Sequence, residues 1–427
     1  MISRRRFVQV GTMGAAALGT APLVSGEQRC TSLPSSISKL KSMKDEATPI
    51  SKDERTGRQD KARRLMAEQE MDAILLAEGT SLNYFTGIRW WGGERFFGMV
   101  LPAKGAPFYI CPAFEEGRAR EQIAKGPNDG QTDVRTWQED DDPYELVAKG
   151  LADRGISTGT VGLEETIKFV FSRGIVNATQ QATIVSATPV TAGCRMIKSD
   201  HEIALMRLAS KVTLTAYEAA YRALKEGMTK PQFEDLIAGA YDRLGFHGEA
   251  DVQVDQNTAN PHGSAAEQVI REGSIIMVDD GCLVEGYTSD ITRTFTLGKP
   301  SDKMKKVFEI VQQAQSKALR TARPGMQCQM ADIAARKVIV DAGYGPDYKY
   351  FKHRVGHGMG MDGHEWPYLV PGNKLAMAKD MTFSDEPGIY IQGEFGIRLE
   401  DDMHITEDGA ELFTSQSPSL EDPFGHA

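Results

Sequence analysis

Paired cysteines, a surplus of positive charge and long apolar runs are all scarce in this chain, and each shortage removes a class of protein. The five Cys (Cys30, Cys111, Cys194, Cys282 and Cys328) are widely spaced with no C-x-x-C, so neither a zinc ribbon nor a thioredoxin-type centre is legible. They read mainly as buried thiols. Lys and Arg number 49 against 59 Asp and Glu, a net charge of −10, the wrong sign for neutralising phosphates along nucleic acid. Beyond the N-terminus no apolar run approaches the roughly 20 residues that span a bilayer. What remains is ordinary for a folded protein. The 41% of hydrophobic residues plus 42 Gly in 427 residues exclude wholesale disorder and leave room for two or three domains.

At the N-terminus Ser3-Arg4-Arg5-Arg6-Phe7-Val8 precedes an uncharged, weakly apolar stretch from Val10 to Val24. Twin arginines ahead of such a core form the pattern of a Tat export signal. Gly11, Gly14, Gly19 and Pro22 argue against a buried helix there. Residues 1–26 are therefore expected to be a signal, cleaved after Gly26 although no A-x-A is present, and the protein to be exported to the periplasm or beyond. No membrane role beyond export is expected. Residues 27–51, rich in Ser, Lys and Thr, read as a linker.

The rest divides in two. Residues 52–197 alternate helical and strand-like pieces and read as a small α/β domain: an amphipathic Lys61–Glu70, an apolar Ala73–Leu76, and a hairpin joining Phe96–Leu101 to Phe108–Ile110 across Pro102–Pro107. No catalytic cluster is evident in it. Residues 198–420 open on helical periodicity over Glu202–Glu226 and carry an internal echo. Gly227-Met228 is followed 18 residues later by Gly245-Phe246, as Gly325-Met326 is by Gly343-Tyr344. Each unit leads into a strand-like segment bearing carboxylates, Ile275–Asp279 and Met381–Glu386. The class is α/β (α+β), with a pseudo-symmetric second domain whose halves face one site.

Asp279 ends an apolar strand, and Asp290 follows eleven residues on, past a Glu285-Gly286 turn, so a hairpin would bring the two together. Taken alone, they are as readily two solvent charges. The segment Lys352–Glu365 holds His353, His357 and His364, three of eight His. Its glycines exclude an H-E-x-x-H helix and let backbone and imidazoles approach one centre. Glu386 ends another apolar strand, and Glu400 follows fourteen residues later, past Gln392-Gly393. Four carboxylates and one imidazole are hard ligands that cannot sit together without taking up protons or binding cations. Two divalent cations resolve the conflict. The donor types suit Mn²⁺ best, with Co²⁺, Zn²⁺ or Fe²⁺ as alternatives. Such a pair activates a shared water and polarises a carbonyl, the chemistry of amide hydrolysis.

These motifs resemble the pita-bread metallopeptidases, the family of methionine aminopeptidase, aminopeptidase P, prolidase and the metal-free creatinase. The match runs over about 198–410: D-x-G at Asp279, S-D-x-T-R-T at Asp290, G-H-G-x-G at His357, E-P-G at Glu386 and R-x-E-D at Glu400. The resemblance implies a small creatinase-like N-terminal domain followed by a pita-bread domain with pseudo-twofold symmetry. It also implies metal ligands Asp279, Asp290, His357, Glu386 and Glu400, a homodimer, and a short proline-containing peptide as substrate. Around the metals it implies that His262, in Pro261-His262-Gly263, lies beside the substrate and shuttles protons, and that Thr292 bonds a metal carboxylate. His364 would steady the oxyanion or scissile amide, His353 would line the proline side, Glu386 would also accept the water proton, and Arg398 would sit near a substrate carboxylate. The plainer alternatives are hydrogen-bonded loop histidines for His262 and His353, and neutralisation of Glu400 and Asp402 by Arg398. Asp280 and Asp385, on opposite strand faces from their neighbours, read as supporting or solvent acids, and Trp90-Trp91 as core or dimer surface. The implied activity is that of an Xaa-Pro dipeptidase. Aminopeptidase P, a creatinase- or ectoine-hydrolase-like C–N hydrolase, and a binding module without activity are the alternatives.

Overall fold

A capping box starts the first long helix: Ser51 accepts from the Glu54 amide while Glu54 reaches back to the Ser51 amide, satisfying two otherwise unpaired donors. The helix therefore runs Lys52–Glu68, longer than the Lys61–Glu70 its apolar spacing suggests. The computed structural model describes residues 33–90, 93–128 and 132–425. The expected signal at 1–26 and Trp91 lie outside them. Residues 34–50, expected to be part of a tether, instead pack down. Ile37 and Ile50 are buried among Leu205, Tyr241 and Leu244, and the Met43 amide donates to the Leu244 carbonyl. Two isoleucines in a polar stretch are enough to anchor it, since each buried side chain stabilises by ~1.5–3 kcal/mol.

The N-terminal half is a six-stranded mixed sheet. Its order is Asp133–Trp137, Phe108–Pro112, Gly98–Pro102, Ala73–Ala77, Thr160–Leu163, Thr183–Ser186. The expected hairpin is present, with Val100 opposite Phe108. Trp90 is buried, its ring stacked on Phe97 at 4.0 Å, so it is core.

In the second half the internal echo becomes two like units. Helices Asp200–Tyr221 and Lys230–Leu244 form one pair, Asp302–Thr321 and Gln329–Asp341 the other. The first helix ends at Tyr221, short of Glu226, as the chain turns toward Gly227. Gly227 and Gly325 adopt φ of 87° and 81°, and Gly245 and Gly343 close the following helices at 90° and 92°, left-handed conformations that favour glycine. The Gly227 amide donates to the Ile270 carbonyl just as the Gly325 amide donates to that of Met377. Asp279 lies nine residues beyond Ile270 (279 − 270), and Glu386 nine beyond Met377 (386 − 377). The two units thus deliver a carboxylate at matching positions.

Neither expected hairpin is continuous. Ile275–Asp279 pairs with Arg293–Thr296, then the backbone kinks at Asp280 (φ 108°) into a separate hairpin, Cys282–Val284 with Tyr287–Thr288. Likewise Thr382–Asp385 pairs with Asp401–Ile405, and Gly388–Ile391 with Phe395–Arg398. The carboxylates sit at these breaks, where the chain leaves one sheet for the next. Among the described helices none is long and apolar enough to cross a membrane.

A charged clamp joins the halves. Arg195, ending the helix Thr188–Arg195, donates to Asp362 (2.6 Å) and to Glu365. Lys198 lies 3.4 Å from Glu365, and Thr80 donates to Asp362 at 2.6 Å. Burial pushes the Glu365 carboxyl up, but Arg195 and Lys198 outweigh it and pull the pKa down to about 2. A depressed folded pKa contributes stability that is complete above the unfolded value and disappears as pH falls through the folded one. Glu365→Gln is thus expected to destabilise the protein at pH 7 and to lose most of that effect as pH drops from about 4.5 to about 2. Urea unfolding across that range checks it, and an equal cost at both ends would sink the assignment.

Candidate metal centre

Asp279, Asp290, His357, Glu386 and Glu400, far apart in sequence, meet where the two units face each other. Two triads of side-chain atoms, each mutually within 4.8 Å, share one residue: Asp279, Asp290 and Glu400 form one, His357, Glu386 and Glu400 the other. Asp290 and His357 form a third triad with His364, which lies outside the expected ligand set. The His357 Nε2 lies 3.3 Å from Glu386 and 3.6 Å from Asp290, and its Nδ1 faces the Gly358 carbonyl at 3.1 Å. That second contact fixes the ring and leaves Nε2 toward the carboxylates. The His364 ring stacks on it with centroids 3.6 Å apart.

Charge decides what this arrangement needs. Four carboxylates converge against one buried guanidinium, Arg398. Burial pushes the Asp290 and Glu400 carboxyls well above the ordinary range, reinforced by their acidic neighbours, Asp279 and Glu386 at Asp290, and Asp290 and Glu386 at Glu400. Burial also works against Asp279 and Glu386, yet Arg398 and Thr292 hold Asp279 low, and a hydrogen bond with His357 together with the charge of His353 brings Glu386 down to about 2. Side chains alone therefore leave part of the cluster holding protons. Two overlapping oxygen-rich triads with one imidazole fit divalent cations, which would let all four acids ionise.

Supporting contacts are dense. Thr292 Oγ1 donates within reach of both Asp279 (2.5 Å) and Glu400 (2.6 Å). Arg398 is 4% exposed and donates to Asp279, to Thr292 (2.9 Å), to the Pro261 carbonyl (3.1 Å) and to the Tyr390 hydroxyl (2.9 Å). Arg398 thus meets the plainer expectation in part: it pairs with Asp279 and lies 3.8 Å from Glu400, rather than on Asp402. Asp402 instead accepts from the Asp290 amide and from Ser210. His353 Nδ1 lies 3.5 Å from Glu386, and its Nε2 meets Tyr390 Oη at 2.7 Å. His262 is exposed on its loop; burial lowers His353, with the charges of Arg398 and, least, His262 adding to it. Burial, then His357, brings His364 down to about 4. Asp385 is fully buried, so it is no solvent acid, and burial with the charge of Asp279 raises Asp280 to about 6.

Sequence reading missed Tyr390, which joins His353 to Arg398, and Ser384, which donates to Glu386 at 3.1 Å. Neither carries a spacing signal, because hydroxyls abound in strands. Ser384 alternates with the buried Phe383 and Asp385, and only the fold shows which hydroxyl meets the cluster.

A two-unit domain with this convergence of acids and one histidine is the architecture of a metal-dependent hydrolase. Residues 204–407 match the model of metallopeptidase family M24, and residues 58–197 that of the creatinase/prolidase N-terminal domain. The chain is 32% identical to the Xaa-Pro dipeptidase of Lactobacillus delbrueckii subsp. lactis over 84% of this chain and 97% of that one. The crystal structure of dipeptidase PepE from Mycobacterium ulcerans superposes with a TM-score of 0.82 at 32% identity, over 88% of this chain and 99% of that one. A recombinant prolidase from Thermococcus sibiricus gives 0.76 at 30% identity, over 84% and 96%. The protein belongs to metallopeptidase family M24.

Proposed function

We propose that the protein is an Xaa-Pro peptidase that favours dipeptides, holding two divalent ions on Asp279, Asp290, His357, Glu386 and Glu400. The single observation that carries the reading is the pair of triads sharing Glu400, joined by the Xaa-Pro and dipeptidase names of the relatives. When bound there, divalent ions, Mn²⁺ by donor chemistry or else Co²⁺, Zn²⁺ or Fe²⁺, would supply Lewis acidity to a carbonyl and would lower the pKa of water.

The chain's own groups do the rest. Glu386, ionised and held by His357 and Ser384, takes the proton of the attacking water. His364, neutral above about pH 4, offers a ring N–H to the developing charge on the scissile group. His353, oriented by Tyr390, lines the proline side, and His262 on its exposed loop passes a proton to the leaving nitrogen. Arg398 and Thr292 position Asp279 and Glu400. Export through the N-terminal signal and assembly as a homodimer belong to the same reading.

Protein stripped of metal and reloaded with Mn²⁺ is expected to cleave an Xaa-Pro dipeptide and to leave an Xaa-Pro tripeptide largely intact, read by amino-acid release. Cleavage of the tripeptide would move the reading to aminopeptidase P. Metal binding with silence on both would turn it to C–N hydrolysis of modified amino acids.

A further inference from the structure

The cleft beside His364 lies between the two halves and holds about 220 Å³. Along the strand Glu365–Leu369 burial alternates: Glu365, Pro367 and Leu369 are buried and Trp366 and Tyr368 less so, and His364, Glu365, Trp366 and Tyr368 line the cleft. Trp366 is 43% exposed. Its ring packs at 4.8 Å from that of Tyr368, and its Nε1 donates to Glu165 at 3.3 Å.

Opposite stands Glu164, 3% exposed, whose Oε2 has no hydrogen-bond partner. Burial raises this carboxyl above its ordinary range, and hydrogen bonds from Ser81 and Thr166 with the charge of Arg195 offset the cost only in part. The neighbouring cations are committed elsewhere: Arg195 donates to Asp362 and Glu365, and Lys198 pairs with Glu365. Arg195 lines the cleft and its charge reaches Glu164, but the ion pairs it makes among the described residues are with Asp362 and Glu365. The cleft thus offers two carboxylates held mainly by neutral donors, Glu164 deeply buried with one oxygen unbonded and Glu165 accepting from Trp366 and Thr188, facing an aromatic pair. A cation is what such a site holds well, through charge-assisted hydrogen bonds and the ring faces.

Its place along the substrate follows from the cluster. His364 sits on the Asp290 and His357 side, and His353 on the side of Glu386 and Tyr390. With His353 on the proline side, the cleft lies on the side of the preceding residue. We propose that this cleft binds the side chain of the residue before proline and selects arginine or lysine, its charge seated between Glu164 and Glu165 against Trp366. This rests on the Xaa-Pro reading above.

The metal-loaded full-length protein is expected to turn over arginyl-proline with a kcat/KM about ten- to a hundredfold above that of leucyl-proline, the range of a charge-assisted contact. In Glu165→Lys, a surface change that spares buried Glu164, the arginyl-to-leucyl ratio should fall by at least about tenfold, and glutamyl-proline should gain. Calorimetric titration of the metal-free protein with the same dipeptides separates the two ideas. Preferred binding of arginyl-proline without cleavage of any dipeptide would keep the cleft and remove the hydrolysis reading. Turnover and binding of arginyl-proline no better than those of leucyl-proline, or a ratio unmoved in Glu165→Lys, would overturn the cleft and leave that reading in place.

Discussion

Asp290→Asn is expected to abolish peptide hydrolysis while leaving the metal-free protein folded and somewhat more stable. The two effects have one origin. Asp290 is raised well above its ordinary 3.8 by burial and by Asp279, Glu386 and Asp402, so the folded protein binds this proton more tightly than the unfolded chain does. A raised carboxyl pKa costs stability above the unfolded value and costs nothing well below it. The isosteric amide removes that cost at neutral pH. It also removes the anionic oxygen that the Asp279, Asp290 and Glu400 triad offers to a cation. Changing a residue that only supports a ligand costs about 10- to 100-fold in metal affinity or activity, so losing a ligand oxygen should cost more than about a hundredfold. Thermal unfolding with and without Mn²⁺ reads both halves. Wild type should gain about 2.7 kcal/mol when the ion is a hundred times above its Kd, and the variant should gain little. A variant that keeps both the Mn²⁺-dependent gain and the activity would remove Asp290 from the ligand set.

How far the sequence reveals this site depends on the kind of residue. Asp279, Asp290, His357, Glu386 and Glu400 stand out because acids ending apolar strands, and imidazoles between glycines, are costly placements that need a reason. The repeated Gly-Met and Gly-aromatic spacing anticipated the paired helix units because left-handed turns leave glycines behind. Residues that act through their neighbours left no such trace. Tyr390 is one aromatic among many in a strand, Glu365 and Arg195 are an acid and a base 170 residues apart, and Ile37 and Ile50 disappear in a polar stretch until the helices they pack on are in place. Arg398 shows the converse. Its motif is plain in sequence, but which acid it touches depends on the break between two sheets that periodicity reads as one hairpin.

The second large effect concerns the bond between the two units rather than the ions. Arg293 opens the strand Arg293–Thr296 in the first unit, is 1% exposed, and donates to Asp401 (2.6 Å), the Glu400 carbonyl (2.8 Å) and the Ser415 carbonyl (2.9 Å). Asp401, fully buried in the second unit, also accepts from Thr414 at 2.6 Å and Gln315 at 2.9 Å. Asp401→Ala would leave the guanidinium buried with its charge uncompensated, a loss of about 3–5 kcal/mol, and would free the Glu400 backbone that Arg293 holds. Urea unfolding should show a midpoint shifted down by that energy divided by the slope, and metal affinity should fall as Glu400 loosens. Replacing both partners with apolar residues of similar volume, as in Arg293→Met with Asp401→Leu, should recover only part of the stability: no charge is left uncompensated, but Thr414, Gln315 and the Glu400 and Ser415 carbonyls lose their partners. It should not recover the activity, because the grip on Glu400 is gone. A single variant within about 1 kcal/mol of wild type would show that water reaches Arg293 and that the two units are joined by their apolar cores alone.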